Sequence, residues 1–156
     1  MQHRDQNHGK VFLFRELSEW SEDDKLERTV KIAETVHEHM VIVLGRKDKV
    51  TGFVKIVTIT LPNEAATVDS DQLIPIRPTP KNKKSKFPVQ LLMENEIFPH
   101  FKLRKSSCVR GDKVYEVPLT VLEPCHVGGD PFQLQLKNKS YGTLKHVMTQ
   151  LGHEGL

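Results

Sequence analysis

The chain has 156 residues, 37% of them hydrophobic, which is enough for one domain with a real core and too little for two. Its net charge of only +3 is not that of a strongly basic nucleic-acid binder, so the placement of the cations matters more than their sum. The start, Met1 to Lys10, is polar, no apolar stretch is long enough to span a bilayer, and Cys108 and Cys125 lack CxxC spacing. A cytoplasmic protein without a membrane span, disulfide framework, metal or cofactor is therefore expected.

Residues 1–20 read as a polar segment and lead-in, and 21–156 as a single domain. Within the lead-in, Lys10 to Arg15 (KVFLFR) is a short apolar run, either a strand or a segment lying across the core. Ser21 followed by Glu22, Asp23 and Asp24 is N-cap chemistry, because a hydroxyl accepts an orphan amide and acids oppose the positive helix end. Leu26, Val30, Ala33 and Val36 then recur at helical spacing, predicting an amphipathic helix over 21–38.

Met40 to Leu44 (MVIVL) and Phe53 to Thr60 (FVKIVTIT) are β-branched runs separated by a polar, glycine-containing connection, and predict a hairpin. From Leu61 to Lys86 the pattern dissolves, apart from an apolar island at Leu73 to Ile76. This interruption contains a proline- and lysine-rich loop, 77–86, with Arg77, Lys81, Lys83, Lys84 and Lys86. The loop is either a solvated surface or a phosphate-contacting arm.

Pro88 to Met93 is the next predicted strand. Lys105 to Arg110 and Lys113 to Leu119 flank Gly111 and Asp112, and read as two strands or as one strand bent by a glycine. Ser140 opens a predicted C-terminal helix in which Leu144, Val147, Met148 and Leu151 share a face and Gly152 stands at the C′ position. The elements add up to a β-rich α+β domain with a helix on either side of the strands.

The order of these motifs resembles the MazF/PemK family. Met40 to Leu44 is similar to the family's PVVVL strand, Thr51 and Gly52 to its hairpin tip, and Phe53 to Thr60 to the strand that closes on Thr or Ser. Phe87 to Val89 is similar to its FPFEV segment, and Val109 to Val117 (VRGDKVYEV) to its VRCDQPRTID strand, the most specific part of the match. The chain also resembles fungal proteins that carry a PemK-like domain. The resemblance spans roughly Met40 to Leu122. It implies a small SH3-like β-barrel, a homodimer, a toxin-antitoxin type partner, and metal-independent cleavage of single-stranded RNA by attack of the 2′-hydroxyl on the adjacent phosphate.

That chemistry needs a cation against the phosphate, a base and an acid. Arg110 offers a fork of donors, Asp112 stands two residues on, and Thr60 falls where the family's barrel edge supplies a hydroxyl. His39 stands where the family has an arginine ahead of the PVVVL strand, and histidine titrates near neutral pH where arginine stays charged. Arg110 and Asp112 also read as a plain surface ion pair beside a turn glycine, which is the commoner arrangement. His37 and His39, without a third ligand, read as surface polar residues more than as a metal site. Three functions compete: an endoribonuclease, a catalytically silent module binding a protein or nucleic acid through the 77–86 loop, and a structural interaction domain. Convergence of Arg110, Asp112, His39 and Thr60 within hydrogen-bond reach favours the first, and dispersal favours the others.

Overall fold

The computed structural model describes residues 7–26, 34–45, 47–61, 68–99, 101–126 and 131–156. Strand β1 is Val11–Phe14, which resolves the ambiguity of the first apolar run. Helix α1, Glu22–Leu26, begins as its acids predict, with the Ser21 hydroxyl accepting from Asp24 N at 3.1 Å. A second helical piece, α2, is Glu34–His37; residues 27–33 of the helix expected over 21–38, including Val30 and Ala33, lie outside the described residues.

The expected hairpin is present as β2, Val41–Leu44, and β3, Phe53–Thr60, in antiparallel register from Val41 opposite Thr58 to Leu44 opposite Lys55. Asp48 closes the turn, its Oδ1 accepting from Val50 N and Thr51 N. These backbone amides hold the Asp48 carboxyl below its ordinary pKa.

The remaining strands are β4, Leu73–Ile76; β5, Met93–Glu94; β6, Ser107–Arg110; β7, Tyr115–Pro118; β8, Leu122–Pro124; and β9, Gln135–Leu136. Among the described residues a seven-stranded sheet runs β4-β6-β3-β2-β1-β8, with β7 also paired to β3, and β5 and β9 form a separate pair. The strand pairs are antiparallel. The hydrogen-bonded strand path is thus an open one, ending at β4 and β8.

Two expectations are corrected in detail. Pro88 to Met93 is not a strand along its length: Val89 N turns back to Phe87 O, Leu91 makes one parallel bridge to Ile76, and regular pairing starts only at Met93. Proline has no amide to offer a ladder, so the segment touches β4 once and then moves on to β9. Conversely, the island Leu73–Ile76 is a full strand against β6, its Pro75 accommodated because β4 lies at the sheet edge.

Period-two alternation divides the core between the two faces of the sheet. Val57 and Ile59 of β3 join Val11, Ile42, Val109 and Leu136 on one face; Val54 and Ile56 join Phe14, Trp20, Val41 and Val117 on the other. Helix α3, Asn138–Gln150, covers the first face through Leu144, Val147 and Met148. It begins two residues before the predicted Ser140, because the Ser140 hydroxyl is buried within the helix and accepts from Leu92 N at 2.9 Å. Gly152, at φ +99°, ends it as expected, and His153 N then reaches back to Met148 O.

Candidate functional site

Strands β6 and β7 both pair with the same edge of β3. Ile59 faces Val109 and Ile56 faces Tyr115, so three steps along β3 correspond to six along its partner. The three residues in excess bulge out between β6 and β7 around Gly111 and Asp112. The glycine-bent strand is therefore the better description of the two that the sequence leaves open.

This bulge is packed from two sides. Gly111 N donates to Gln72 O at 2.6 Å, and Gly111 O lies 2.7 Å from His153 Nε2, which must carry the proton to donate there. A β-carbon on Gly111 would meet Leu151 Cδ1 at 2.8 Å and Gln72 O at 2.9 Å, so glycine is required for the close approach.

The bulge turns Asp112 back onto Arg110. Arg110 Nε donates to Asp112 Oδ1 at 3.0 Å and Arg110 Nη2 to Oδ2 at 2.7 Å, a bidentate pair. The two side chains are 29% and 18% exposed, so the pair is neither a surface contact nor a buried one. The hydrogen bonds from Arg110 hold the Asp112 carboxyl below its ordinary pKa, and those to Asp112 raise that of Arg110. A carboxylate held this way is a poor proton acceptor, and a guanidinium held this way has much of its fork occupied.

Thr60 lies opposite Cys108, and alternation puts Thr58, Thr60, Cys108 and Arg110 on one face of the sheet. The Thr60 side chain is buried, and its hydroxyl faces the neighbouring Leu61 carbonyl at 3.4 Å. Met40 O accepts from Ile59 N, which brings the chain at His39 to this end of β3. Among the described residues no hydrogen bond or ion pair joins Thr60 or His39 to Arg110 or Asp112. Of the four candidates, Arg110 and Asp112 alone are bonded to each other.

His37 is not the surface residue expected. It is half-buried between the rings of Phe14, at 5.0 Å, and Trp20, at 5.2 Å, in the second core. Cys108 and Cys125 are buried free thiols, and burial pushes both pKa values up, away from nucleophilic thiolate character. Among the described residues no group of three or more His, Cys, Asp or Glu could hold a metal ion, and no helix is long and apolar enough to cross a membrane.

The cations of the 77–86 loop have a different setting. Lys81, Lys83, Lys84 and Lys86 are exposed and Arg77 partly so, and among the described residues none of the five makes an ion pair. The loop is anchored at its base rather than packed along its length. The Thr79 hydroxyl accepts from Ser107 N at 2.8 Å and donates to Ser107 O at 3.0 Å, and Thr79 O accepts from Gln90 Nε2 at 2.7 Å.

That anchor brings in cations which the sequence reading missed. Lys102, Arg104 and Lys105 lead into Ser107 and are exposed, so the Thr79 clamp ties a second basic segment to the foot of the loop. The signal that identifies both is an absence. Residues 73–93 and 97–111 contain nine of the 23 Lys and Arg and none of the 20 Asp and Glu, leaving 14 cations against 20 acids elsewhere. A net charge of +3 conceals two nearly adjacent segments that hold cations and no acids.

No protein-family model and no curated protein matches this chain.

Proposed function

We propose that the protein is a binding module for single-stranded RNA, with the phosphates held by the 77–86 loop and by Lys102, Arg104 and Lys105. The observation that carries this reading is the Thr79 to Ser107 clamp, which ties together two segments free of acids and holding seven exposed Lys and Arg. Phosphate oxygens are the acceptors that such cations use most, and contact with them releases counterions. A labelled single-stranded RNA titrated at several salt concentrations tests it. Replacing Lys81, Lys83, Lys84 and Lys86 by Ala should weaken binding and lower the log–log salt slope by roughly 3, at about 0.7 per lost contact. Unchanged affinity and slope would overturn the reading.

A second reading, RNA cleavage, draws on the register that puts Arg110, with Asp112 paired to it, on the sheet face that carries Thr60. On the MazF/PemK resemblance, Arg110 opposes the charge that develops as the 2′-hydroxyl attacks phosphorus and the 5′-oxygen leaves. On the same resemblance His39, in the place of the family's arginine, is the candidate for moving the proton. The family's homodimer and antitoxin belong to this reading too. It requires Asp112 to yield part of the Arg110 fork to a phosphate. Incubation of labelled RNA with wild type and with Arg110→Lys, with and without chelator, decides: cleavage lost in the variant supports it, and intact RNA throughout removes it.

The SH3-like barrel implied by the same resemblance draws support from two isolated bridges and the short β5–β9 ladder. Ile76 bridges to Leu91, Met93 pairs with Leu136, and Gln135 bridges to Lys10, so backbone contacts lead from the β4 edge through β5 and β9 to the start of β1.

A further inference from the structure

Asn95 is a buried polar residue, 5% exposed, whose hydrogen bonds serve two apolar side chains standing in solvent. Its Oδ1 accepts from Ile97 N at 2.9 Å and from Phe98 N at 2.8 Å, and its own amide donates to Phe98 O at 3.1 Å. Its Nδ2 reaches Phe132 O at 3.5 Å. The resulting turn is closed at both ends, with Ile97 50% and Phe98 47% exposed at its tip.

Folding alone favours the reverse arrangement, with the amide in water and the hydrophobes inside. Holding a phenyl ring out on a braced turn restricts it before any ligand arrives, which is the preorganisation a binding surface requires. The ring is also supported from behind. Phe101 lies 6.5 Å away, tilted by 54°, and is itself bridged to Met93 and packed on the main core.

Charge identifies the occupant. The chain leaves Phe101 through Lys102, Arg104 and Lys105, and meets no acid between Ile97 and Gly111. A ring beside a run of exposed cations matches a ligand with a flat apolar face next to a phosphate, which is an unpaired nucleotide; an apolar protein patch would leave the cations without acceptors. Glu96, exposed in the same turn, is the one opposing charge there.

We propose that Phe98, backed by Phe101, is a stacking platform for one unpaired base of an RNA strand whose phosphates continue along Lys102, Arg104 and Lys105 to the 77–86 loop. The proposal rests on the basic face being the RNA contact and adds the feature that selects single strands, since paired bases in a duplex present no free face to the ring.

The experiment measures binding of a labelled single-stranded RNA, the same strand carrying abasic sites, and a duplex with the same number of phosphates, to wild type, Phe98→Ala, Phe98→Trp and the four-lysine variant. Phe98→Ala should lose about tenfold for the intact single strand and little for the duplex or abasic strand, with the salt slope unchanged. Phe98→Trp should restore the single-strand affinity. Thermal melting of each variant excludes misfolding, and at 47% exposure Phe98 is not part of the core. If the four-lysine variant loses binding but Phe98→Ala binds the intact strand as wild type does, the platform is overturned and the basic face stands. If no RNA binds wild type, both fall. If Phe98→Ala instead changes the sedimentation coefficient while RNA binding is unaltered, the ring is a contact between copies of this chain, and the platform is likewise overturned.

Discussion

Arg110 and Lys83 both lie in stretches of chain without a single acid, yet their surroundings give them opposite characters. Arg110 is half sheltered at the end of β6, and the bulge after it delivers Asp112 into its fork, so its charge is answered within the fold. Lys83 stands exposed in a loop held at its base by Thr79, and among the described residues no carboxylate answers it. The difference teaches that a cation's neighbours, more than its type, decide whether it serves architecture or a ligand. The same residue class can do either within a short length of chain, as Arg77 and Arg104 beside Arg110 illustrate.

The Arg110 and Asp112 pair is most vulnerable at Gly111, which lies between them. Gly111→Ala drives a methyl group against Leu151 and the Gln72 carbonyl, and the latter is backbone that cannot swing aside. A destabilisation of about 2–3 kcal/mol is expected from such overpacking, measured by urea denaturation. Stability equal to wild type would mean that the bulge is not held by the β4 lead-in and the C-terminal residues.

Removing the acid comes next. Asp112→Ala leaves the partly buried Arg110 without its acceptor, at a cost of about 1–2 kcal/mol, between the values for exposed and buried pairs. The pH dependence has a definite sign. Because Asp112 has a depressed pKa in the folded protein, its contribution is fully present above the unfolded value of about 4 and is lost as pH falls through the folded value. Chemical denaturation between neutral pH and strongly acid solution should therefore show a steeper acid loss in wild type than in Asp112→Asn. Asp48, also depressed, remains in both proteins and cancels in the difference. Parallel curves would show that the pair contributes nothing to folding.

The smallest effect sharpens the contrast from the other side. Changing Lys81, Lys83, Lys84 and Lys86 to Ala should alter stability by less than about 0.5 kcal/mol, as for exposed residues generally, even while it reduces RNA affinity. A large loss of stability in that variant would make the loop lysines structural and erase the distinction from Arg110.

How legible each part was follows from the range of the interactions involved. The hairpin Val41–Leu44 and Phe53–Thr60, the Ser21 cap, the Gly152 terminus and the apolar face of α3 are set by periods and by caps within a few residues, and the amino-acid sequence by itself determined them. So did the charge division, which is written in the absence of acids from 73–93 and 97–111. Strand β4 was legible only as an apolar island, since four residues including Pro75 become a strand through pairing with β6, more than thirty residues away. The turn at Asn95 is likewise local in chemistry, but the burial that sets it against the exposed Phe98 is not. Only the tertiary structure decided that Ser140 lies inside its helix under Leu92, that His37 enters the Phe14 and Trp20 cluster, and that Lys102, Arg104 and Lys105 are tied to the lysine loop. The physical reason is common to all three. A side chain's partner there is brought by non-local packing and by hydrogen bonds between segments, and no period or cap within one segment carries information about which distant segment arrives.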